Sequence, residues 1–133
     1  MYIELWAAEY TPEEGGECHW ALHLWSSSEN RAAIYQIVGE PTAYTYGHRD
    51  NGDLATCGSL IQIVFVSEIE QHDVKFVTEI LKMVPIRNDT ATWDSQDWVL
   101  EALKRLNDEK LIDEPSYFCA EDQLRFAMDR FLD

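Results

Sequence analysis

His19 and His23, four residues apart in Cys18-His-Trp-Ala-Leu-His-Leu-Trp25, and Ser95, at the polar entry of a helical stretch over residues 92–106, are the residues whose types and spacing suggest chemistry. An imidazole beside a hydroxyl at a helix N-terminus is the geometry of a base and its nucleophile, because the helix dipole favours negative charge developing there. The same residues also have plainer roles. Asp94 or Ser95 caps the helix, worth roughly 1 kcal/mol, and the histidines are amphipathic sheet residues. Metal binding fits the spacing poorly. The segment alternates like a strand, so the two Cα atoms stand roughly 13 Å apart although both rings face one way, and no acidic third ligand follows at a useful interval. We expect no metal and no cofactor.

The elements that must position these residues follow from periodicity. Residues 2–9 are short, aromatic and alternating, a first strand broken by Thr11-Pro-Glu-Glu-Gly-Gly16. Residues 18–25 place Cys18, Trp20, Leu22 and Leu24 on one face and His19, Ala21, His23 and Trp25 on the other. A polar turn over residues 26–30 leads to a third strand, 32–38, closed by Gly39-Glu-Pro41, and then a short aromatic strand, 42–46. Residues 47–58 are rich in Gly, Asp and Asn without an apolar period and predict an exposed loop. Residues 60–66 are apolar on both parities, as expected of a central strand buried on two sides. Helical spacing takes over from 68 to 84, with Val74, Val77, Ile80, Leu81 and Val84 on one stripe and Pro85 stopping it. In the helix that Ser95 opens, Trp98, Val99, Ala102, Leu103 and Leu106 share one side. A last helix over residues 120–132 turns Leu124, Ala127, Met128 and Phe131 inward.

A chain of 133 residues makes one domain, 1–133, able to bury roughly two-thirds of its unfolded surface. Its 46% hydrophobic and 12% aromatic content supplies both a core and an aromatic-walled pocket. The net charge of -15 repels phosphate backbones and anionic membranes, so neither nucleic acid nor membrane is an expected ligand, whereas a cationic protein partner suits it. Glu9, Glu13, Glu14 and Glu17, with Glu68, Glu70 and Asp73, read as solvated charges. Three cysteines, Cys18, Cys57 and Cys119, form no CxxC pair and no disulfide framework, and without a basic leader or a long apolar run the expected home is the cytoplasm.

His19-Trp-Ala-Leu, Ile34-Tyr-Gln-Ile-Val-Gly39 and Ser95-Gln-Asp-Trp-Val99, with Glu101-Ala-Leu and Leu111-Ile, resemble a group of small uncharacterised fungal proteins carrying His-Trp-Ala early and Asn-Cys-Gln-Asp-Trp late. That order is similar to the circularly permuted papain-like families, among them cell-wall peptidases and lecithin retinol acyltransferase-like proteins. The resemblance implies that His19 is a base and position 95 a nucleophile. Here Asp94-Ser95 stands where Asn-Cys is usual, and a serine needs far stronger base assistance than a thiol.

We therefore expect an α+β domain, an antiparallel sheet of about four to six strands with two or three helices on one face, similar to a permuted papain-like fold. Three roles stand open. His19, His23 or a nearby acid transfers a proton on a small organic substrate held by Trp20, Trp25, Tyr35, Tyr44, Tyr46, Trp93 and Trp98, as an isomerase or cyclase does. Ser95 carries out acyl transfer or hydrolysis. Or the chain is a catalytically silent acidic binding protein whose aromatics are mostly core.

Overall fold

The computed structural model describes residues 2–11, 19–26, 31–52 and 59–129. Its strands are β1 (Tyr2–Thr11), β2 (His19–Ser26), β3 (Arg31–Val38), β4 (Thr45–Gly52) and β5 (Ser59–Glu70), and its helices α1 (Val74–Met83), α2 (Ser95–Asp108) and α3 (Glu114–Asp129). The strands form one sheet in the order β4-β3-β2-β1-β5, antiparallel at every pairing. The fold is α+β, five strands with three α-helices among the described residues.

Alternation along β2 divides the molecule. Trp20, Leu22 and Leu24 join the main core with Leu5 and Ala7 of β1, Tyr35 and Ile37 of β3, and Val64 and Val66 of β5. Onto this face α2 lays Trp98, Val99, Ala102, Leu103 and Leu106, while α1 adds Val77 and Leu81, and α3 adds Tyr117, Ala120, Leu124 and Ala127. The helices thus pack on one face, α2 across β2 and β3 and α3 against β5. The other face holds a small second cluster, Ala8, Tyr10, Ala21 and Ile34.

Local chemistry sets the ends of α2. Asp94 Oδ1 accepts from the Gln96 and Asp97 amides (3.0 and 3.4 Å), and Asp97 Oδ2 accepts from the Asp94 amide (3.1 Å), a reciprocal capping box. The cap is therefore Asp94, and Ser95 is the first helical residue. At the far end Lys110 adopts φ 63°, and the Leu111 amide donates back to the Leu106 carbonyl.

Four expectations change. Residues 60–66 belong to an edge strand, not a central one: β5 pairs only with β1, and Ile61, Ile63 and Phe65 stay more than 40% exposed on the face away from the helices. Its register with β1 shifts between Leu5 and Trp6 and again between Glu9 and Tyr10. After the first shift Ile69 rejoins the core on the opposite parity to Val64 and Val66, as an extra residue in a ladder requires. The Gly- and Asp-rich stretch expected as a loop from residue 47 is instead strand β4 as far as Gly52, whereas residues 42–44 are not strand. Gly39 makes that connection feasible: at φ 120° any Cβ would stand 2.6 Å from the Ala43 carbonyl oxygen. Helical structure begins only at Gln71, with a 3₁₀ turn before α1, because β5 continues to Glu70. The last helix starts at Glu114, earlier than expected, with Asp113 accepting from the Ser116 amide at 2.8 Å and Pro115 in the first turn.

Cys18, Cys57, Glu13, Glu14, Glu17, the connections over 12–18 and 27–30, the remaining loop 53–58, and the side chains of Met128 and Phe131 lie outside the described residues. Among those described, Cys119 is an exposed free thiol within α3.

Candidate functional site

His23 sits at the middle of β2, opposite Trp6 of β1 and Ile34 of β3, on the face away from the helices. It is 1% exposed. Its Nε2 shares a 2.7 Å hydrogen bond with the Tyr10 hydroxyl, the two rings tilted at 42° with centroids 5.9 Å apart. Its Nδ1 is buried with no hydrogen-bond partner among the described residues. Loss of solvation pushes the His23 pKa down to about 4, so the ring is neutral at pH 7. A neutral imidazole must leave Nδ1 as either an unpaired N–H or an unpaired lone pair. The lone pair is the cheaper of the two, which puts the proton on Nε2, toward Tyr10.

Against this ring lies a cavity of about 220 Å³ bordered by Glu4, Trp6, His23, Trp25 and Ile63. The register explains the grouping: Trp25 opposes Glu4, His23 opposes Trp6, and Phe65 opposes Trp6 from the other side. Trp6 Nε1 donates to Glu4 Oε1 at 3.3 Å, and its ring meets Phe65 edge-on, centroids 5.1 Å apart. The cavity is smaller than a drug-sized site. At about 30 Å³ per water it holds roughly seven waters, or a molecule of about seven to ten non-hydrogen atoms.

His19 is placed differently. It is half-buried on the same face, its Nε2 donates to Gln36 Oε1 at 2.7 Å, and burial lowers its pKa more than that bond raises it. Ser95 is buried on the helix side, where its Oγ accepts the Trp20 amide at 3.0 Å. That amide lies beyond the last β2–β3 pair, Leu22 with Tyr35, so Ser95 ties the start of α2 to a part of β2 that β3 has left. The expected approach of a histidine ring to Ser95 is therefore not made. Both rings bond on the far face, and among the described residues the Ser95 hydroxyl bonds to the backbone next to His19.

Of the aromatics expected to hold a substrate, Trp25 alone borders this cavity. Trp20, Tyr35 and Trp98 are core, at most 1% exposed, with the Tyr35 hydroxyl bonded to Thr78 Oγ1 at 2.8 Å. Tyr44 is buried with its amide held by Asn88 Oδ1 at 2.9 Å. Tyr46 lies against Trp98, and burial pushes its hydroxyl up to about 12. Trp93 meets Tyr44 edge-on and borders a separate groove between α2 and α3 with Arg87, Lys104 and Arg125. Glu9 is a further correction: it is fully buried, and its Oε1 accepts from Gln62 Nε2 at 2.8 Å.

The chain belongs to a family of unknown function, DUF6540. The family model matches residues 5–113, a span that includes Trp6, His23, Trp25 and Ile63 of the cavity as well as Ser95. No curated protein and no solved structure matches the chain. The match takes in all of β2 to β5, α1 and α2, and stops just before α3.

Glu4, Trp6, Tyr10 and Ile63 are the residues that sequence reasoning missed. Their signal was present: Glu4, Trp6 and Tyr10 share one parity of β1, and β5 carries more apolar residues than a one-sided edge strand needs. Elsewhere among the described residues, Glu70, His72 and Asp73 form the one His and carboxylate cluster of metal-binding dimensions. It is a polar cluster on the surface, with His72 Nε2 3.0 Å from Glu70 Oε2.

Ser95 and Asp94 can be separated by mutation. Ser95→Ala leaves the buried Trp20 N–H without an acceptor and is expected to cost about 1–3 kcal/mol. Asp94→Ala removes a cap at the helix surface and is expected to cost about 1 kcal/mol. Urea unfolding of both variants checks the order, and an equal loss would mean that the Ser95 contact contributes little.

Proposed function

We propose that this chain binds a small organic molecule on the open face of the sheet and that His23 transfers a proton there, as an isomerase or cyclase does. The observation that carries the reading is a buried, neutral imidazole at the edge of an aromatic cavity, with Nε2 held by Tyr10 and Nδ1 without a partner. In this chemistry Nδ1 takes a proton from the bound molecule and returns it at another atom. Meanwhile Nε2–H donates to the Tyr10 oxygen, so the transient imidazolium keeps both its N–H groups engaged. Trp6, Trp25 and Ile63 supply apolar walls that fix the orientation of the substrate.

Ser95 is architectural in this reading, since its oxygen serves the Trp20 amide. Acyl transfer by Ser95 is the less favoured reading, given that neither histidine bonds to it. Among the described residues no helix is long and apolar enough to cross a membrane.

The test uses small ketones and amino ketones of about seven to ten non-hydrogen atoms, with binding mapped by the indole and imidazole NMR signals. Ligands are expected to perturb Trp6, Trp25 and His23. Hydrogen exchange beside the carbonyl in D2O is expected to be accelerated by the protein, and His23→Gln to reduce that acceleration by about 10²–10⁴-fold. Unchanged exchange in His23→Gln removes His23 from the chemistry. Ligands that map to the cavity without any exchange would favour a silent binding protein.

A further inference from the structure

Among the described residues, the carboxylates beside the cavity have no basic side chain paired with them. Among the described residues Glu4 is the only carboxylate, Lys or Arg bordering it, and its sole hydrogen bond among them comes from the Trp6 indole N–H. In the register of β1 with β5, Glu4 stands directly opposite Glu68, which likewise makes no ion pair among the described residues. Like charges opposite one another on a sheet repel, and a structural ladder normally places a Lys or Arg, or a neutral side chain, at such a position. On the other side of Glu4 stands Trp25. One cross-strand row therefore reads Trp25, Glu4, Glu68, and the next reads His23, Trp6, Phe65.

We infer that the cavity takes a small organic cation, an ammonium group with an apolar body of a few carbons, seated between Trp6 and Trp25 with its charge toward Glu4. This rests on the ligand-binding reading above and specifies the class of ligand.

Three physical effects favour such a guest. Indole faces attract cations, and quaternary or alkylated ammonium groups are held by aromatic walls because they are weakly hydrated. A carboxylate that accepts the Trp6 N–H pushes electron density into that ring, which strengthens the attraction of its face for a cation. A guest charge near Glu4 also relieves the repulsion between Glu4 and Glu68, to which no described residue supplies a base. His23 does not compete, because burial keeps it neutral at pH 7. A carboxylate guest would meet Glu4 with nothing to offset it, and a neutral guest would leave the carboxylate pair uncompensated.

Choline and 3,3-dimethylbutan-1-ol are isosteres that differ by the charged nitrogen, and both fit the volume. Their binding to the full chain is measured by calorimetry at low salt, with the indole NMR signals of Trp6 and Trp25 reporting the site. Choline is expected to bind about tenfold or more tightly than the alcohol. Glu4→Gln, which still accepts the Trp6 N–H, is expected to erase that preference by weakening choline about tenfold more than it changes binding of the alcohol. Glu68→Gln, on an exposed residue, is expected to reduce the preference in part and covers the case in which Glu4→Gln does not fold. Equal binding of the two isosteres, or tighter binding of the alcohol, overturns the cation while keeping the cavity as a ligand site. If neither binds but ketones still map to His23, the cation alone falls; if ketones fail too, both readings fall.

Discussion

Urea unfolding at pH 7 and at pH 5 is expected to show a fall in stability, of which His23→Gln removes about 2 kcal/mol. The folded protein holds His23 at about 4, against 6.5 for an unhindered histidine. Between those two values the unfolded chain binds the proton and the folded chain does not. Stability is therefore fully present above pH 6.5 and drains away as the pH falls toward 4, by about 1.4 kcal/mol per unit at the steepest. His19, also lowered, adds loss in the same direction. Among the described residues the groups facing His23 are the Tyr10 hydroxyl from its own face of β1, the Glu4 carboxylate beside the cavity, and apolar Ile34 and Ile63 from β3 and β5. Most carboxylates titrate only below about pH 5, so the interval from 6.5 to 5 belongs to imidazole. Glutamine keeps a partner for Tyr10 and has nothing to titrate. An NMR titration that finds the His23 ring protonating near 6.5 would sink the prediction, because it would mean that solvent reaches the ring.

The parts of the fold that were legible in the sequence are those where burial is one-sided. In β2 and α2 each face has its own composition, so the period identified the element and the buried residues together: Trp20, Leu22 and Leu24 on one, Trp98, Val99, Ala102, Leu103 and Leu106 on the other. β4 shows the opposite case. It pairs with β3 alone, through backbone groups that glycine and aspartate supply as well as valine does, and composition therefore predicted a loop. The start of α1 was misplaced for a related reason. Glu68, Ile69 and Glu70 fit a helical stripe by spacing, yet Ile69 is drawn into the core as part of β5.

The candidate site was half legible. His23 stood out by type and by strand face, but its neighbours depend on which strand lies beside β2, which no local pattern specifies. Reading residues 60–66 as a central strand concealed the excess of apolar residues on β5, which is what makes the open face a cavity wall. The aromatics nominated for a pocket, Trp20, Tyr35 and Trp98, follow the commoner fate of large side chains and fill the core. The pairing of Ser95 with a histidine failed on topology. A helix N-terminus and a strand side chain meet only if the side chain points to the helix side of the sheet, and strand alternation turns His19 and His23 the other way.

Trp98 is where the helix side of the sheet should prove most sensitive. It is completely buried on α2, next to Tyr46, with ring centroids 6.4 Å apart. Trp98→Ala removes the largest side chain that α2 contributes and is expected to cost about 3–5 kcal/mol, a large part of the 5–15 kcal/mol that a domain of this kind has in total. Trp98→Phe is the informative comparison. The Trp98 Nε1 atom is buried with no hydrogen-bond partner among the described residues, so the indole carries a desolvated donor that phenylalanine lacks. Losing that donor returns about 1–3 kcal/mol, which offsets most of the volume lost, and the net cost is expected to be below about 1.5 kcal/mol. Far-UV circular dichroism during urea unfolding separates the two variants without relying on tryptophan emission. If Phe costs as much as Ala, the Nε1 donor must be satisfied in solution, with buried water the natural acceptor. In that case the core around Trp98 is held by polar contact as well as by apolar burial.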